Sequence, residues 1–487
     1  MFDMIPKLFG PVPKTPANKD MVAELLRVDR TILEQFEKAY EKAVLRDEAG
    51  IVRNAKQASA AVRNRDFAMP AKEACLADLI ERIVEELLEG TVVLEVKDGQ
   101  CRLIHPEYRD VTPVTNAEIL SLPESLRPQL TGTLLKKDVN GGGFEDVLIF
   151  YDKARKEKNA KKRTRMKMQF LQGVSILDLD PVIYQILGMN RNSMSHWLPA
   201  IATAAWKHGF FKIPETRIAL VPMPLLQLSR LEYMEMTTTT MKIVDLWAMR
   251  AFGLSTEKDY FIKTGIFSSK FDFRNAKVTA GKEVTELGEY LLFIQYQTTE
   301  MGGSAHWDGK ALYAAPVVIG PALTNEWVVR EFIQDTEGNT TIYHGLPLHT
   351  EYRVFVDFDT DEILGISPYW RPDVMKARFT KQKDADTPDM VHDYVTYTAQ
   401  EPELMRRYEE NRDTVMAQIL AMLADVDLSG QWSVDIMQNG DDFWIIDMAL
   451  ASQSALSDCV PAGKLKQTPL TEENWIPDMS KEARECT

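Results

Sequence analysis

The chain has 487 residues, a mass of 55.4 kDa and a formal net charge of −15. Apolar residues make up 45% and charged residues 26% of it, a composition typical of globular domains, which excludes disorder, collagen and coiled-coil arrays as the main architecture. Proteins that coat nucleic acid with their whole surface are normally basic, so the acidic balance also argues against that class.

Cysteine content and apolar runs indicate the compartment. The four cysteines are too few for a disulfide scaffold and do not have zinc-site spacing, so we expect a reducing environment. The first residues lack the basic and apolar regions of a signal peptide, and no stretch of 18 apolar residues occurs. The sequence therefore predicts a cytoplasmic protein without a membrane span.

Residues 1–200 are predicted to form a mostly helical domain with one β-hairpin. Apolar side chains recur at helical spacing in segments 20–48 and 71–88. Alternating segments then flank Asp98-Gly99, which is a strong hairpin signal. The other segments are predicted to be loops with a short helix at 106–145 and two short helices with a connector at 175–207.

A basic run lies in this first part of the chain, from Lys153 to Lys167. It contains nine basic residues and one acidic residue, which is the sharpest local change in composition. Such a run is typical of a surface that contacts RNA or another polyanion, but also of a solvated helix face or a loop. No aromatic residue interleaves with the charges, so the run has no base-stacking platform of its own.

Strands are predicted to dominate from about residue 208, with helices at 225–252 and 403–424. Nine segments have strand patterns: 216–223, 259–265, 290–297, 311–320, 326–335, 351–358, 362–370, 432–438 and 442–450. Helices and strands do not alternate strictly, so the predicted fold class is α+β. The predicted domains are 1–200, 201–460 and an irregular tail, 461–487.

Two lysines of this second part suggest phosphate binding. Lys263 ends an apolar strand, and a Gly/Ser turn with Lys270 follows it. A lysine in this position can point at a phosphate, and backbone N–H groups of such a turn can approach its oxygens. The alternative is a solvated strand end, because strands often end in lysine.

Three further features follow in order. The first is a strand from Glu326 to Glu331 that carries charges at both ends. The second is a strand on which Glu351 and Arg353 share one face, because side chains alternate with a period of two. These two residues are either binding residues or an ordinary surface pair. Asp435 and Asp447 lie on adjacent strands of a hairpin predicted around Asn439-Gly440. Two neighbouring carboxylates repel each other unless a cation lies between them, and Mg²⁺ suits oxygen ligands, although aspartate is also frequent near turns.

The order of these features resembles that of the ATP-grasp enzymes over about residues 205–460. More narrowly, it resembles a divergent phage and bacterial branch akin to the cell-division-cycle protein 123 family. The resemblance implies a C-terminal ATP-grasp-like fold, in which two α+β subdomains clamp ATP, and a location in the host cytoplasm if a phage encodes the chain.

The resemblance also implies roles for individual residues. Lys263 would contact the phosphates, with Lys270 in the loop above them, and Arg353 would face the γ-phosphate and the acyl phosphate, so that Lys263 and Arg353 are the catalytic candidates. Asp435 and Asp447 would bind Mg²⁺, and Arg371 is a weaker candidate for the acceptor side. The segment from Glu326 to Phe332 would form the adenine hinge, with contacts from Glu326, Val329 and Glu331.

One position departs from the family pattern. Members commonly end with an acid, one residue and then a metal-binding asparagine, whereas this chain has Asp447-Met448-Ala449. Alanine cannot ligate a metal, so either Ser452 or Gln453 substitutes for it or one Mg²⁺ is lost. This raises the expectation of a chain that binds nucleotide but turns it over slowly.

Three functions remain open at this point. The first is an ATP- and Mg²⁺-dependent ligase that activates a carboxylate as an acyl phosphate for attack by a nucleophile on a peptide, protein or RNA acceptor. The second is an ATP-binding assembly chaperone without ligase turnover, with residues 1–200 binding the partner. The third is a virion-associated structural protein on a decayed nucleotide-binding fold.

Overall fold

The computed structural model describes residues 91–106, 110–113, 190–222, 238–305, 324–381 and 387–468, with isolated residues between 81 and 88, between 158 and 162, and at 187, 188, 225 and 226. The predicted helix at 20–48, the strand at 311–320, nearly all of the basic run and most of the tail lie outside these residues. Among the helices that the structure describes, none is both long and apolar enough to cross a membrane.

The described part is a mixed α+β fold, as predicted, and its sheets are mainly antiparallel. Its helices are α1 (Met194–His208), α2 (Thr238–Phe252), α3 (Lys282–Thr285), α4 (Leu287–Ala305), α5 (Pro372–Lys381) and α6 (Pro388–Met422). Its strands are β1 (Val93–Lys97), β2 (Gln100–His105), β3 (Asp110–Pro113), β4 (Phe211–Lys212), β5 (Thr216–Leu220), β6 (Tyr260–Thr264), β7 (Lys277–Val278), β8 (Glu326–Glu331), β9 (Thr341–Ile342), β10 (Leu346–Pro347), β11 (Thr350–Asp357), β12 (Glu362–Pro368), β13 (Gln431–Asn439) and β14 (Asp442–Leu450).

A seven-stranded sheet has the order β3-β2-β1-β5-β8-β6-β7. The predicted hairpin is present, and its turn residues Asp98 and Gly99 have φ angles of 49° and 68°, as a type I′ turn requires. Strand β1 also pairs with β5. The hairpin is therefore part of the same sheet as later strands, and the division predicted at residue 200 falls inside α1.

A five-stranded sheet has the order β12-β11-β13-β14-β4, with only β4 parallel to its neighbour. The hairpin of β13 and β14 turns at Gly440 and Asp441, because Asn439 pairs with Asp442. Of the two turn residues only Gly440 has a positive φ, 63°, which is typical of a type II′ turn, and the turn is centred one residue later than the predicted Asn439-Gly440.

Two apolar cores leave one face of each sheet with charged side chains. Helices α2 and α4 cover one face of the seven-stranded sheet, and α6 packs against β11 and β12 of the five-stranded sheet. Helix α1 packs in the same apolar core as α6 and the five-stranded sheet, and this core also contains buried residues of β1, β2, β5 and β8. Because successive side chains of a strand point to opposite faces, Lys263 and Arg330 of the seven-stranded sheet and Arg353, Asp435 and Asp447 of the five-stranded sheet lie on the other two faces.

Some predicted elements differ from those observed. Residues 290–297 were predicted to be a strand but belong to α4, where Leu291, Leu292, Ile294 and Gln295 are buried at helical spacing. A short apolar run does not distinguish a buried helix from a strand. Helix α6 begins at Pro388 rather than at residue 403 and contains Pro402, and strand β3 lies where only loops and a helix were predicted.

Candidate functional site

Lys263 joins the two sheets. Its side chain leaves β6 on the face that points away from α2 and α4. The neighbouring Ile262 points the other way and packs in the core with these two helices. Its Nζ donates to both carboxylate oxygens of Asp447 on β14, at 2.9 and 2.8 Å, and the lysine is only 1% exposed. Burial lowers the pKa of Lys263, and the negative charge of Asp447 opposes that shift. Lys263 is therefore a buried inter-sheet residue and not a solvated strand end.

Arg353 and Asp435 form a second ion pair beside the first. They are paired across β11 and β13, and the guanidinium binds both carboxylate oxygens, at 2.7 and 2.6 Å. Burial disfavours the charged arginine, but Asp435 outweighs it and raises the pKa of Arg353. Asp435 in turn is paired with Asp447 across β13 and β14. The two carboxylates are therefore neighbours, each held by a basic side chain.

Arg330 on β8 is a site residue that sequence reasoning did not identify. Its Nε donates to Thr216 Oγ1 at 3.1 Å, and its Nη1 donates to the carbonyl oxygen of Ile446. Among the described residues, Nη2 has no hydrogen-bond partner although it is buried. Burial lowers the pKa of Arg330 to about 10, with Asp447 acting in the opposite direction. The available signal was an arginine that directly follows the apolar stretch Trp327 to Val329 of β8.

Lys270 and Arg353 share one aromatic ring. Lys270 Nζ lies 4.0 Å and Arg353 Cζ 4.9 Å from the ring centroid of Tyr369. Burial disfavours the charged lysine, but Tyr369, Glu351 and Asp435 together raise the pKa of Lys270. Lys270 thus lies near Arg353, on the same face of the five-stranded sheet.

Glu351 is buried in this neighbourhood, 6% exposed, and accepts a hydrogen bond from Trp370 Nε1 at 3.2 Å. Burial raises the pKa of Glu351 to about 7, and the nearby Asp435 acts in the same direction. Near neutrality Glu351 is therefore protonated in a fraction of the molecules. It then neutralises less of the positive charge of the surrounding basic side chains than a fully ionised carboxylate would.

The three residues predicted as adenine contacts lie apart from one another. Glu326 is buried at the start of α1, where Ser195 donates through both its hydroxyl and its backbone N–H. Val329 and Glu331 lie on the face of β8 toward α2 and α4, opposite to Arg330. They line a cavity of about 130 Å³, and Glu331 pairs with Lys258 at 3.1 Å.

The first three N–H groups of the Gly/Ser turn after Lys263 are bound within the protein. The N–H of Gly265 donates to the carbonyl oxygen of Glu326 at 2.9 Å, and the N–H groups of Ile266 and Phe267 reach Thr264 Oγ1. A Cβ on Gly265 would lie 2.5 Å from a carboxylate oxygen of Glu326. The glycine is thus explained by this close approach.

Of the three remaining candidates, Arg371 and Gln453 bind other residues. Arg371 binds Asp373 and Asp458 at the surface, at 2.8 and 2.7 Å. Gln453 Oε1 accepts from Asn192 at 2.5 Å, in the loop before α1. Ser452 has a buried hydroxyl without a hydrogen-bond partner among the described residues, so of the two substitutes considered for an asparagine at position 449 it is the uncommitted one.

A second group of metal-ligand types lies elsewhere in the described chain. Ligand atoms of Asp335, Glu337 and His349 lie within 4.8 Å of one another. Arg407 binds the Glu337 carboxylate at 2.8 Å, and Asn339 contacts both Asp335 and the imidazole. These contacts account for the cluster as a polar network.

Comparison with solved structures gives a weak likeness. The chain is similar to C-terminally truncated Cdc123 from Schizosaccharomyces pombe with a TM-score of 0.31 and 13% identity, over 55% of this chain and 86% of that one. No protein-family model and no curated protein matches the sequence. A TM-score of this size does not establish a common fold, so function has to be inferred from the site itself.

Proposed function

We propose that the chain binds ATP at the junction of the two charged sheet faces and is an ATP-dependent ligase of the ATP-grasp type. The observation that carries the proposal is the convergence of Lys263, Arg330 and Arg353 on the pair Asp435 and Asp447. The three basic residues come from three strands in two sheets. Such convergence of buried donors is typical of a site for a polyanion rather than of ordinary surface pairing.

The charge balance of the site supports a phosphate ligand. Lys263, Lys270, Arg330 and Arg353 face the two aspartates, and the neighbouring Glu351 has a pKa of about 7. Near neutrality the basic groups therefore outweigh the ionised carboxylates. Nη2 of Arg330, which has no hydrogen-bond partner in the part of the chain that the structure describes, adds a donor that a phosphate oxygen would satisfy. Because Lys263 is 1% exposed, binding requires the sheets to part locally.

Aromatic residues next to Arg330 would hold the adenine. Phe261 is paired with Arg330 across β6 and β8, and its ring lies 6.1 Å from that of Phe273. Phe273 lies 6.1 Å from Phe332, which directly follows β8 and has Lys277 Nζ 4.5 Å above its ring. Phe261 and Phe332 are only half-buried. A purine would gain apolar contact there, at the C-terminal end of the predicted hinge segment.

Asp435 and Asp447 are the residues that would hold Mg²⁺. Carboxylate oxygens are suitable ligands, but both side chains are engaged by basic groups, and Ala449 contributes no donor. The residues fit one metal ion once a phosphate has taken over the basic groups. The ion would supply charge neutralisation of the transferred phosphate.

Arg353 and Lys263 would bind and neutralise the phosphates during transfer. An oxygen of the substrate carboxylate attacks the γ-phosphorus, the bond to the β–γ bridging oxygen breaks, and ADP leaves with that electron pair. A nucleophile of the acceptor then displaces phosphate from the acyl phosphate. The acceptor would be a peptide, a protein or an RNA end, with the run Lys153 to Lys167 as the contact if it is a polyanion.

Nucleotide binding and turnover test this proposal. We expect ATP with Mg²⁺ to raise the melting temperature of the parent chain, and the Lys263→Ala variant to lose most of that increase. We expect ADP release to depend on an added carboxylate substrate and an acceptor. Absence of any stabilisation by ATP in the folded parent protein would rule out both nucleotide-dependent functions and favour a structural role.

An assembly chaperone that binds ATP without ligase turnover is the second candidate. It is favoured by Ala449, which removes one expected metal ligand, and by the engagement of both aspartates. In that case ATP would stabilise the chain, ADP release would not respond to any carboxylate or acceptor, and a protein partner would copurify with the ATP-bound form.

A further inference from the structure

All four carboxylate oxygens of Asp435 and Asp447 accept hydrogen bonds from basic side chains. Arg353 contacts the two oxygens of Asp435 at 2.7 and 2.6 Å, and Lys263 contacts those of Asp447 at 2.9 and 2.8 Å. The backbone N–H of Met448 adds a bond of 3.0 Å to Asp447 Oδ1. A free divalent cation would have to displace these donors before it could bind either carboxylate.

The electrostatic environment of Asp447 also disfavours a free cation. Its charge acts on three basic residues, Lys263, Arg330 and Arg353, and the first of them is in direct contact. Three positive groups around one carboxylate repel a doubly charged cation and attract an anion. The buried Nη2 of Arg330, without a hydrogen-bond partner among the described residues, offers that anion a donor.

Burial of Lys263 fixes the order in which ligands can enter. If Asp447 turned toward a metal ion, Lys263 would remain buried, 1% exposed, without its anion. An uncompensated buried charge is strongly unfavourable. A polyphosphate group provides Lys263 and Arg353 with replacement oxygens, and only then are the aspartates released.

We infer that Asp435 and Asp447 bind no divalent cation until a di- or triphosphate group has displaced Lys263 and Arg353 from them, and that the polyphosphate itself binds without metal. This inference rests on the proposed function, because it assigns the nucleotide's phosphates to the same site. It adds an order of binding, with the anion first and the metal ion second.

Binding of Mn²⁺ and of ADP, measured separately, tests this order. We expect the paramagnetic resonance signal of free Mn²⁺ to stay unchanged with the parent chain alone, with a Kd weaker than about 1 mM, and to decrease when ADP is added. By calorimetry in EDTA, ADP should bind within about tenfold of its affinity in the presence of Mg²⁺.

Variants separate the role of the basic residues from general folding effects. Lys263→Met should bind Mn²⁺ without ADP at least about tenfold more tightly than the parent chain, because Asp447 is released. Arg353→Met should do the same through Asp435 and is the second route if Lys263→Met does not fold. Lys258→Met is the matched control, because it removes a surface lysine paired with Glu331 at 3.1 Å and should leave Mn²⁺ binding unchanged.

Two results would overturn the inference while nucleotide binding stands. One is Mn²⁺ binding by the parent chain that is as tight without ADP as with it, and the other is ADP binding that disappears in EDTA. If ADP binds under neither condition, the proposed function fails and the order of binding fails with it. The calorimetric arm in Mg²⁺ therefore distinguishes the two failures.

Discussion

Lys263 and Asp447 are 184 residues apart in the chain, yet the ammonium of one lies 2.9 and 2.8 Å from the carboxylate oxygens of the other. The lysine side chain is 2% exposed and the aspartate side chain 34% exposed. The pair connects β6 of one sheet to β14 of the other. Its two members therefore differ in what their removal leaves behind.

We expect Asp447→Asn to destabilise the chain by about 3–5 kcal/mol, because it leaves the buried ammonium of Lys263 without an anion. Lys263→Met should cost less, since the remaining carboxylate is partly solvated. Urea denaturation gives both values, and in the double variant the loss should be smaller than the sum of the two. Lys258→Met, at the surface pair with Glu331, should stay within about 0.5 kcal/mol of the parent chain. Equal losses in the two single variants would contradict this account of the pair.

Stability should depend on pH through Glu351. Its pKa is raised to about 7 by burial, from an ordinary value of 4.5, so the folded chain holds a proton in this interval that the unfolded chain releases. Glu351 contributes its full stabilisation below about pH 4.5. The free energy of unfolding then falls as pH rises to about 7, by up to about 1.4 kcal/mol per pH unit.

Glu351→Gln keeps an acceptor for Trp370 but cannot ionise. Between about pH 5 and 7 the stability of this variant should therefore fall less steeply than that of the parent chain, by the contribution of one titrating group. Urea denaturation across this interval measures the slope. The exposed residue Glu362 provides the control, because Glu362→Gln should keep the slope of the parent chain. An identical slope in Glu351→Gln and the parent chain would show that Glu351 ionises normally.

Gly265→Ala should destabilise the chain by about 1–3 kcal/mol, the range for overpacking a close contact. The added Cβ would lie 2.5 Å from Glu326 Oε2 and 3.0 Å from Thr324 Oγ1. If the contact with Glu326 is the cause, combining the change with Glu326→Ala should cost less than the sum of the two single changes. Additive losses in thermal or urea denaturation would place the cause elsewhere.

Arg330→Met should weaken ADP binding by about tenfold or more, because it removes donors facing the proposed phosphate position. The free energy of unfolding should change less than the free energy of ADP binding, since the variant also removes a buried Nη2 that has no partner in the described chain. Calorimetry with ADP measures the affinity. Arg406→Met, which removes an exposed arginine paired with Glu403 and Glu410 on α6, should bind ADP like the parent chain. Unchanged affinity in Arg330→Met would remove this residue from the site.

Local patterns were enough for several elements. Strands β5, β6, β8 and β11 to β14 were predicted within a few residues, because each is a short alternating or apolar run bounded by turn residues. The hairpin at Asp98-Gly99 was predicted because its turn residues tolerate a positive φ. Residues 290–297 of α4 were predicted to be a strand because the less buried face of the helix carries Tyr290, Phe293 and Tyr296, so that the sequence has no clearly polar face.

The sequence by itself determined the α+β class, the hairpin that carries Asp435 and Asp447, and the strand position of Lys263, since each depends on neighbouring residues alone. Only the tertiary structure decided which charges meet. Arg330 and Glu331 are adjacent in the chain, yet the strand period and the packing of α2 and α4 place Arg330 at the junction of the sheets and Glu331 on the opposite face. Lys263 and Arg353 bind Asp447 and Asp435, the two carboxylates for which a metal ion was expected. The physical reason is that a buried lysine or arginine needs an anion beside it.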